Sequence, residues 1–355
     1  MQTGFIGLGS VVETAYLPAL RRLGACNAPP YGHDIDPARQ PDGVVRCDSL
    51  DALLARPLDI VFITTSSTQH LVALQAALAS AVPRIVVEKP VVADLEQMRQ
   101  LRALLALPGH AARVLALDHW TARSAGLRDG RVAPAWQPVP GQSAAPTFTL
   151  DDVVHLEGWL EEVSGFNDQG EPIALNFATG QADTRQLRHP DGVIVDIGTH
   201  VLALLREIVH ALGGSDSLVL ELVDAHDRLG RPIARGDLTT AEGDAHLRGT
   251  LAGIPLDLRL NKYAGPAGGQ KGIRIHLRDG RVLRQDRRGN SDVIEVGDGA
   301  ETLRWSLPGP IYDHRLGALL AAPDAAFANA TAETARRMDE VETLLRLQQV
   351  LRGPH

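Results

Sequence analysis

Short apolar runs alternate with helical patterns through the first third of the chain. Runs that read as strands lie at residues 3–7, 31–34, 59–64, 84–88 and 113–117, and apolar residues recur at helical spacing over residues 13–23, 68–79 and 94–107. Each helical pattern follows a polar or turn-forming residue that can begin a helix. This alternation predicts an α/β domain built on a doubly wound parallel sheet with crossover helices.

The pattern changes after residue 123. Residues 124–146 are rich in Gly, Pro, Ala and Arg and predict a connection or an active-site loop. Alternating runs then appear at residues 147–157, 218–224, 245–251, 256–263, 273–277, 281–285, 292–296 and 302–307, and helical patterns at 198–212 and 330–351. Several runs are joined by hairpin-like turns, which favours an α+β domain with a mostly antiparallel open sheet. We therefore predict domains at residues 1–122 and 123–355, with the last helix able to pack back on the first domain.

Length and charge limit the classes of function. A chain of 355 residues is long enough for two cores, and its net charge of −8 argues against nucleic acid or an acidic membrane as a partner. No leader-like segment and no apolar stretch of about 20 residues is evident, so we expect a cytoplasmic protein without a membrane partner. Cys26 and Cys47 are expected to be reduced and structural. The 13 histidines show no metal-ligand spacing, so we expect no metal site.

The first strand runs into a glycine-containing turn that is typical of dinucleotide binding. Gly7 allows a tight turn, and Gly9 lets the backbone approach a pyrophosphate at the start of the next helix, where Ser10, Val11 and Val12 follow. Valine replaces the third glycine of the strict fingerprint, and a plain strand-to-helix turn is the alternative.

An acidic residue ends the second strand. Asp34 lies 25 residues after Gly9, near the distance expected for the carboxylate that binds the adenosine ribose. A carboxylate there repels a 2′-phosphate, so we predict NAD rather than NADP. Asp36 is the nearby alternative for the carboxylate that binds the ribose, and Arg39 could weaken the preference for NAD over NADP.

Polar residues also follow two further strands. Thr64, Thr65 and Ser66, with His70 beyond them, could contact the pyrophosphate and the nicotinamide ribose or could cap the next helix. Residues 84–90 read RIVVEKP, which places Glu88, Lys89 and Pro90 where a parallel strand opens into the ligand crevice. The alternative for Lys89 is a solvated lysine at a strand end.

Asp196 and His200 lie in the segment GVIVDIGTH. They are four residues apart and would face one side of a helix that begins near Asp196. A histidine beside a carboxylate can act as a general base. A capping aspartate with a buried structural histidine is the alternative.

The order of these motifs resembles the glucose-fructose oxidoreductase/inositol dehydrogenase/MocA family across both predicted domains. The resemblance implies an N-terminal Rossmann domain and hydride transfer between a nicotinamide and a secondary alcohol or ketone of a sugar, cyclitol or related polyol. It implies that Lys89, Asp196 and His200 form the catalytic group, with His200 as proton acceptor, Asp196 orienting it, and Lys89 stabilising negative charge on the reacting oxygen. It further implies that Glu88, Lys89 and Pro90 contact the cofactor, and that the protein forms a homodimer or homotetramer.

One segment departs from that family. Residues 118–123 read DHWTAR and are similar to the Asp-His-Tyr-Leu-Gly-Lys segment of glucose-6-phosphate dehydrogenases. The similarity implies that His119 and Arg123 hold a substrate phosphate or carboxylate; a linking turn with a surface arginine is the alternative. Trp120 could stack on a sugar ring or pack at the domain junction. Further candidates for lining the substrate cleft are His155, Trp159, Arg185 and His189.

Two other functions fit the same sequence. Relatives of the fold reduce C=N or C=C bonds, although the Asp196/His200 pair favours alcohol chemistry. A non-catalytic regulator that senses NADH is the third hypothesis, because a nucleotide-binding fold alone does not define an activity.

Overall fold

The chain divides into two units by its internal contacts. The first unit comprises Met1–His119 and Ile311–Glu342, and the second comprises Trp120–Pro310 and Thr343–His355. The computed structural model describes residues 1–25, 28–127, 130–133, 135–138, 147–175, 180–183, 187–266, 268–297 and 302–353. Cys26, Arg185 and part of the predicted loop 124–146 lie outside these ranges. Residues 311–342 group with the first unit, whereas the sequence analysis assigned them to the second domain and allowed only the last helix to pack back.

The first unit contains a parallel sheet of six strands among its described residues, in the order β3-β2-β1-β4-β5-β6. Four of these strands are buried along their whole length, as expected for a parallel sheet with helices on both faces. The strands are β1 (Thr3–Ile6), β2 (Tyr31–His33), β3 (Val45–Arg46), β4 (Ile60–Ile63), β5 (Ile85–Glu88) and β6 (Val114–Leu117).

Helices connect these strands and cover the sheet. The sequence explains two starts, because Ser49 and Asp94 each accept a hydrogen bond from the backbone N–H three residues later. The α-helices of this region are α1 (Leu17–Leu23), α2 (Leu50–Leu54), α3 (His70–Ala79), α4 (Leu95–Leu105) and α5 (His110–Arg113). The elements β3, α2 and α5 were not predicted, because elements this short show no clear period.

A nine-stranded sheet dominates the described part of the second unit. Its strand order is β11-β12-β13-β8-β14-β15-β16-β17-β7, and the pairing is antiparallel except between β13 and β8. The strands are β7 (Gln137–Pro138), β8 (Val153–Glu161), β11 (Leu218–His226), β12 (Asp244–Leu251), β13 (Ile254–Asn261), β14 (Lys271–Leu277), β15 (Val282–Arg288), β16 (Ser291–Gly297) and β17 (Thr302–Pro308); β9 (Ser164–Phe166) and β10 (Pro172–Ala174) form a separate hairpin. The predicted fold class is thus confirmed.

The start of β8 corrects one prediction. The run at 147–157 was expected to be a strand, but residues 150–152 form a 3-10 turn and the strand begins at Val153. The reason is a capping box: the Asp152 carboxylate accepts hydrogen bonds from the Thr149 backbone N–H and from the Thr149 hydroxyl, both at 2.8 Å.

Helix α7 packs closely on one face of β8. The second unit contains α6 (Val193–Asp196) and α7 (Gly198–Ala211), and the chain continues through α8 (Ile311–Ala321), α9 (Pro323–Ala328) and α10 (Ala330–Arg352). A Cβ atom on Gly158 would lie 2.2 Å from Val201 and 3.2 Å from Leu205, so glycine permits the approach of α7. In the described part of the chain, every helix is too short or too polar to cross a bilayer.

Candidate active site

The turn after β1 depends on Gly7. Its φ is +93°, and an added Cβ atom would lie 2.7 Å from the Thr65 backbone nitrogen. The Thr64 hydroxyl donates to the Gly7 carbonyl at 2.8 Å, and the Gly7 N–H donates to the His33 carbonyl at 2.8 Å. Three neighbouring strands therefore hold this turn at the carboxyl edge of the sheet.

The helix that follows begins beside an open space. An added Cβ atom on Gly9 would meet no atom of the described residues within 4 Å, so the backbone there is accessible to a ligand. Ser10 is exposed and Val11 partly buried, whereas Val12 is buried and belongs to the core. These features fit the close approach of a pyrophosphate to the Gly9 backbone.

The same helix contains a π-helical turn at Val12–Tyr16, immediately before α1. Pro18 offers the physical reason, because its ring has no N–H and would clash with the carbonyl four residues earlier in a regular α-helix. The wider turn accommodates this ring. The predicted helix at 13–23 is therefore present, but its first turns are not α-helical.

Asp34 is tied to the glycine turn. Its carboxylate accepts hydrogen bonds from the Leu8 N–H at 2.6 Å and from the Asp36 N–H at 2.8 Å. The exposed Asp36 carboxylate accepts from the Ala38 N–H at 2.9 Å and lies 3.7 Å from Arg39. Asp34 thus has a structural role in the turn and still places a carboxylate at the end of β2.

The polar segment after β4 divides into exposed and buried residues. Ser66 is exposed and Thr65 partly exposed, and the Ser66 and Thr68 hydroxyls lie 3.2 Å apart. Ser66 does not cap the following turn through its side chain. Thr65 and Ser66 are therefore the accessible members of this segment, while Thr64 is buried against the Gly7 turn.

His70 is buried rather than open to a cofactor. Its Nδ1 atom lies 2.7 Å from the Pro90 carbonyl oxygen and its Nε2 atom 3.1 Å from the Thr65 carbonyl oxygen. Burial is the main cause that lowers the pKa of His70 to about 4. The neutral ring donates to only one of these oxygens. The position corrects the assignment of His70 as a cofactor contact, because its ring connects the segment after β4 to the residue that follows Lys89.

We predict that His70 makes the first unit less stable in acid. The pKa is about 4 in the folded protein against an ordinary value of 6.5, so protons bind more strongly to the unfolded chain. The stabilisation is complete above pH 6.5 and decreases by about 3 kcal/mol as the pH falls toward 4. Hydrogen exchange of the β4 and β5 amides should be measured in the wild type and in His70→Gln at the same pH. We expect the wild type to be the more stable protein at neutral pH and its stability advantage to decrease in acid. The exposed His210 provides a His210→Gln control, and an advantage that does not depend on pH would contradict the prediction.

Glu88 is a buried carboxyl group beneath Lys89. It accepts a hydrogen bond from the Tyr16 hydroxyl at 2.6 Å and from the Lys89 backbone N–H at 3.1 Å, and the Tyr312 hydroxyl lies at 3.4 Å. Burial raises the pKa of Glu88, and burial together with Glu88 raises the pKa of both tyrosines well above its usual value. Glu88 therefore positions the strand end instead of facing a cofactor. Lys89 is partly exposed beyond it, and Pro90 is buried.

The segment at 118–123 has a structural explanation. The His119 ring stacks on Tyr312 with 4.5 Å between centroids. Arg123 is buried, and it donates from Nε to Asp292 at 2.7 Å and from Nη2 to the Lys271 carbonyl at 3.0 Å. A guanidinium in a buried ion pair does not present its charge to a substrate anion, so we do not retain the anion role for Arg123. The surface-arginine alternative is also wrong.

Trp120 contacts the candidate base. Its ring is buried and stacks on the His200 imidazole, with 5.5 Å between centroids and an interplanar angle of 11°. The Arg123 guanidinium lies 4.4 Å from the Trp120 ring centroid. Packing is therefore the role that the structure supports for Trp120, and its contact fixes the plane of His200.

Asp196 and His200 lie at a break between two helices. Asp196 ends α6, Ile197 intervenes with φ −110° and ψ −20°, and α7 begins at Gly198. The helix predicted at 198–212 corresponds to α7, and Asp196 lies before it at the end of α6. His200 is buried in the first turn of α7, whereas Asp196 remains partly exposed.

Lys262 is the residue that the sequence analysis missed. Its ammonium forms an ion pair with Asp196, and its side chain is largely buried just after the end of β13. Composition contains a signal that could have found it: only three of the 35 lysine and arginine residues are lysines, namely Lys89, Lys262 and Lys271. Such scarcity draws attention to each lysine, and Lys262 supplies a compact ammonium group to the Asp196 carboxylate.

The other cleft candidates separate by position. His155 and Trp159 alternate with Gly158 on β8, so they lie on the sheet face opposite α7 and His200. These two candidates therefore do not share the sheet face of His200. His189 precedes α6 in the second unit.

The first third of the chain resembles a known protein family. Residues 1–114 match the model of the Gfo/Idh/MocA oxidoreductase family, described as having an NAD-binding Rossmann fold. No curated protein sequence matches the chain significantly.

Solved structures share the fold along nearly the whole chain. One is KijD10, a 3-ketoreductase from Actinomadura kijaniata solved with NADP and TDP-benzene, at 16% identity, 96% coverage of each chain and a TM-score of 0.62. Another is the UDP-N-acetylglucosamine 3-dehydrogenase GnnA from Acidithiobacillus ferrooxidans, at 17% identity, 98% coverage of this chain and 99% of that one, and a TM-score of 0.62.

Proposed function

We propose that the protein transfers hydride between NAD(H) and a secondary alcohol or ketone of a sugar or cyclitol, because residues 1–114 match the model of the Gfo/Idh/MocA oxidoreductase family. The observation that carries this proposal lies in the first unit. The Gly7–Gly9 turn follows β1 and Lys89 follows β5, so both stand at the carboxyl edge of one parallel sheet. Ligands of such sheets bind beyond that edge, where the strand order reverses between β1 and β4.

The residues around Gly7 fit a dinucleotide. The pyrophosphate would lie on Gly7, Gly9, Ser10 and Val11, and the adenosine ribose would bind to Asp34. Thr65 and Ser66 would contact the pyrophosphate and the nicotinamide ribose. When bound, the nicotinamide cofactor supplies the acceptor or donor for hydride. Lys89 would also border this site at the end of β5.

Each candidate catalytic residue has a distinct role in the proposal. In alcohol oxidation, His200 takes the hydroxyl proton as the general base, with its ring plane set by Trp120. The Lys89 ammonium stabilises negative charge on the reacting oxygen. Asp196 orients the His200 imidazole, and the Lys262 ammonium neutralises the charge of the Asp196 carboxylate. In ketone reduction, His200 returns the proton.

We propose NAD over NADP because of the carboxylate at Asp34. Asp34→Asn is expected to shift the ratio of NADH to NADPH dissociation constants toward NADPH by about tenfold, since a charge repulsion of about 1.4 kcal/mol is removed. Fluorescence titration with both cofactors measures this ratio. Asp36→Asn is the matched control, because Asp36 also accepts a backbone N–H but is more exposed. A larger shift in the control would identify Asp36 as the determinant.

A substrate panel tests the function itself. NAD and NADH turnover should be measured with sugars, cyclitols, aminocyclitols, sugar phosphates and nucleotide-linked sugars, the last because GnnA acts on UDP-N-acetylglucosamine. We expect turnover with at least one CH–OH or keto member. Tight NADH binding without turnover across the panel would reject the proposal and support a regulatory role.

A further inference from the structure

The face of the nine-stranded sheet opposite α7 carries a group of imidazoles and carboxylates. His155 and Glu157 lie two residues apart on the central strand β8, and His276 is directly opposite His155 on β14. Residues at this spacing point to the same face of a sheet. We call these three residues the outer-face triad.

The donor atoms of the outer-face triad are close together. One ligand atom from each of the three lies within 4.8 Å of the others. The Glu157 Oε1 atom lies 3.1 Å from His276 Nε2 and 4.0 Å from His155 Nδ1. Zinc bonds to imidazole nitrogen and carboxylate oxygen at about 2.0–2.2 Å, which places neighbouring ligand atoms about 3.3–3.5 Å apart, so small side-chain adjustments would suffice.

The triad is supported by further side chains. Asp257 Oδ2 lies 3.2 Å from His155 Nε2, the nitrogen turned away from Glu157. Arg274 donates to the second oxygen of Glu157 at 2.7 Å, which leaves Oε1 toward the histidines. A carboxylate that orients a histidine is the usual support of a metal-bound imidazole. Asp257 is itself held by His246 at 2.9 Å.

The outer-face triad is accessible from solvent. The side chains of His155, Glu157 and His276 are 31%, 28% and 31% exposed. A cavity of about 430 Å³ opens beside the triad, lined by His155, Glu157, Trp159, Asp257 and Arg274 among others.

We propose that the outer-face triad binds a divalent transition-metal ion of the zinc type, with two imidazoles and one carboxylate as ligands and water completing the coordination. Two nitrogen donors with one oxygen favour zinc over magnesium or calcium, which prefer oxygen ligands. No metal site was expected from the sequence, because the histidines show no metal-ligand spacing. Glu157 and His276 are 119 residues apart and meet only through strand pairing. The site lies on the opposite sheet face from His200 and is independent of the proposed hydride transfer.

Zinc binding to the full-length, chelator-treated protein tests the proposal. Equilibrium dialysis with zinc, read by elemental analysis, should give about one ion per chain. Magnesium at the same concentration should not be retained. His276→Ala and Glu157→Gln should each weaken zinc binding at least tenfold, and Asp257→Asn should weaken it about 10- to 100-fold through the orientation of His155.

A matched control separates metal binding from structural support. His210→Ala removes an exposed histidine of the same unit and should leave zinc binding unchanged. Thermal unfolding without zinc verifies that each variant is folded. If His276→Ala does not fold, Glu157→Gln provides the test of zinc binding. Absence of zinc retention by the wild type, or equal retention by wild type and all triad variants, would overturn the proposal.

Discussion

Replacing Lys89 with methionine is expected to lower kcat by about 10²- to 10³-fold while NADH binding changes little. Methionine keeps much of the length and volume of the side chain but removes the ammonium. The loss follows because negative charge on the reacting oxygen would lack its proposed stabilising partner. The strand end should persist, since Glu88 accepts a hydrogen bond from the backbone N–H of residue 89, which the variant retains.

Steady-state kinetics with the best substrate of the panel and NADH fluorescence titration measure the two effects separately. Lys271→Met is the matched control, because it removes one of the two other lysines in the chain from strand β14. It should keep kcat near the wild-type value. A Lys89→Met enzyme that retained more than a tenth of kcat would contradict the catalytic role, and a loss confined to NADH binding would make Lys89 a cofactor ligand only.

His200→Asn is expected to lower kcat by about 10²- to 10⁴-fold, the usual contribution of a general base. Asparagine is polar and of similar reach but cannot accept the proton in turnover. The dependence of kcat on pH in alcohol oxidation should lose its acidic limb in this variant. Loss of the stacking contact with Trp120 should cost only about 0.5–1.5 kcal/mol of stability.

The comparison with two other variants assigns the roles. His210→Asn alters an exposed histidine of the same helix and should leave kcat unchanged. Lys262→Met removes the partner of Asp196 and should lower kcat less than His200→Asn does, while altering the pH profile. If His200→Asn reduced stability but kept kcat within about threefold, His200 would be the buried structural histidine of the alternative hypothesis.

Hydrophobic periodicity predicted the long elements well. The strands β1, β4, β5 and β6 and the helices α7 and α10 were predicted within a few residues, because each has a regular apolar pattern. The capping box at Thr149 and the π-helical turn before Pro18 were not predicted, since side-chain and ring geometry there override the pattern. Local periodicity therefore describes where elements lie better than how they begin.

The limits of sequence reasoning at the site have a common cause. The environments of Arg123, Lys262 and Glu157 are set by partners on elements distant in sequence: Asp292 on β16, Asp196 at the end of α6 and His276 on β14, respectively. A motif records spacing along the chain but not which strands pair. The motif residues Gly7, Lys89 and His200 could be recognised from the sequence. Only the fold shows whether a charged side chain such as Arg123 is already paired with an opposite charge.

The buried Glu88 links two parts of the first unit, the helix after the glycine turn and the end of β5. Tyr16, on the helix after the glycine turn, and the Lys89 amide both donate to this one carboxyl group. Grafting a glycine turn and helix from another dehydrogenase to alter cofactor choice would therefore also disturb the strand end that carries Lys89. Chimaeras that retain Tyr16 should tolerate such a graft better than those that introduce phenylalanine there, because phenylalanine leaves Glu88 with one fewer donor.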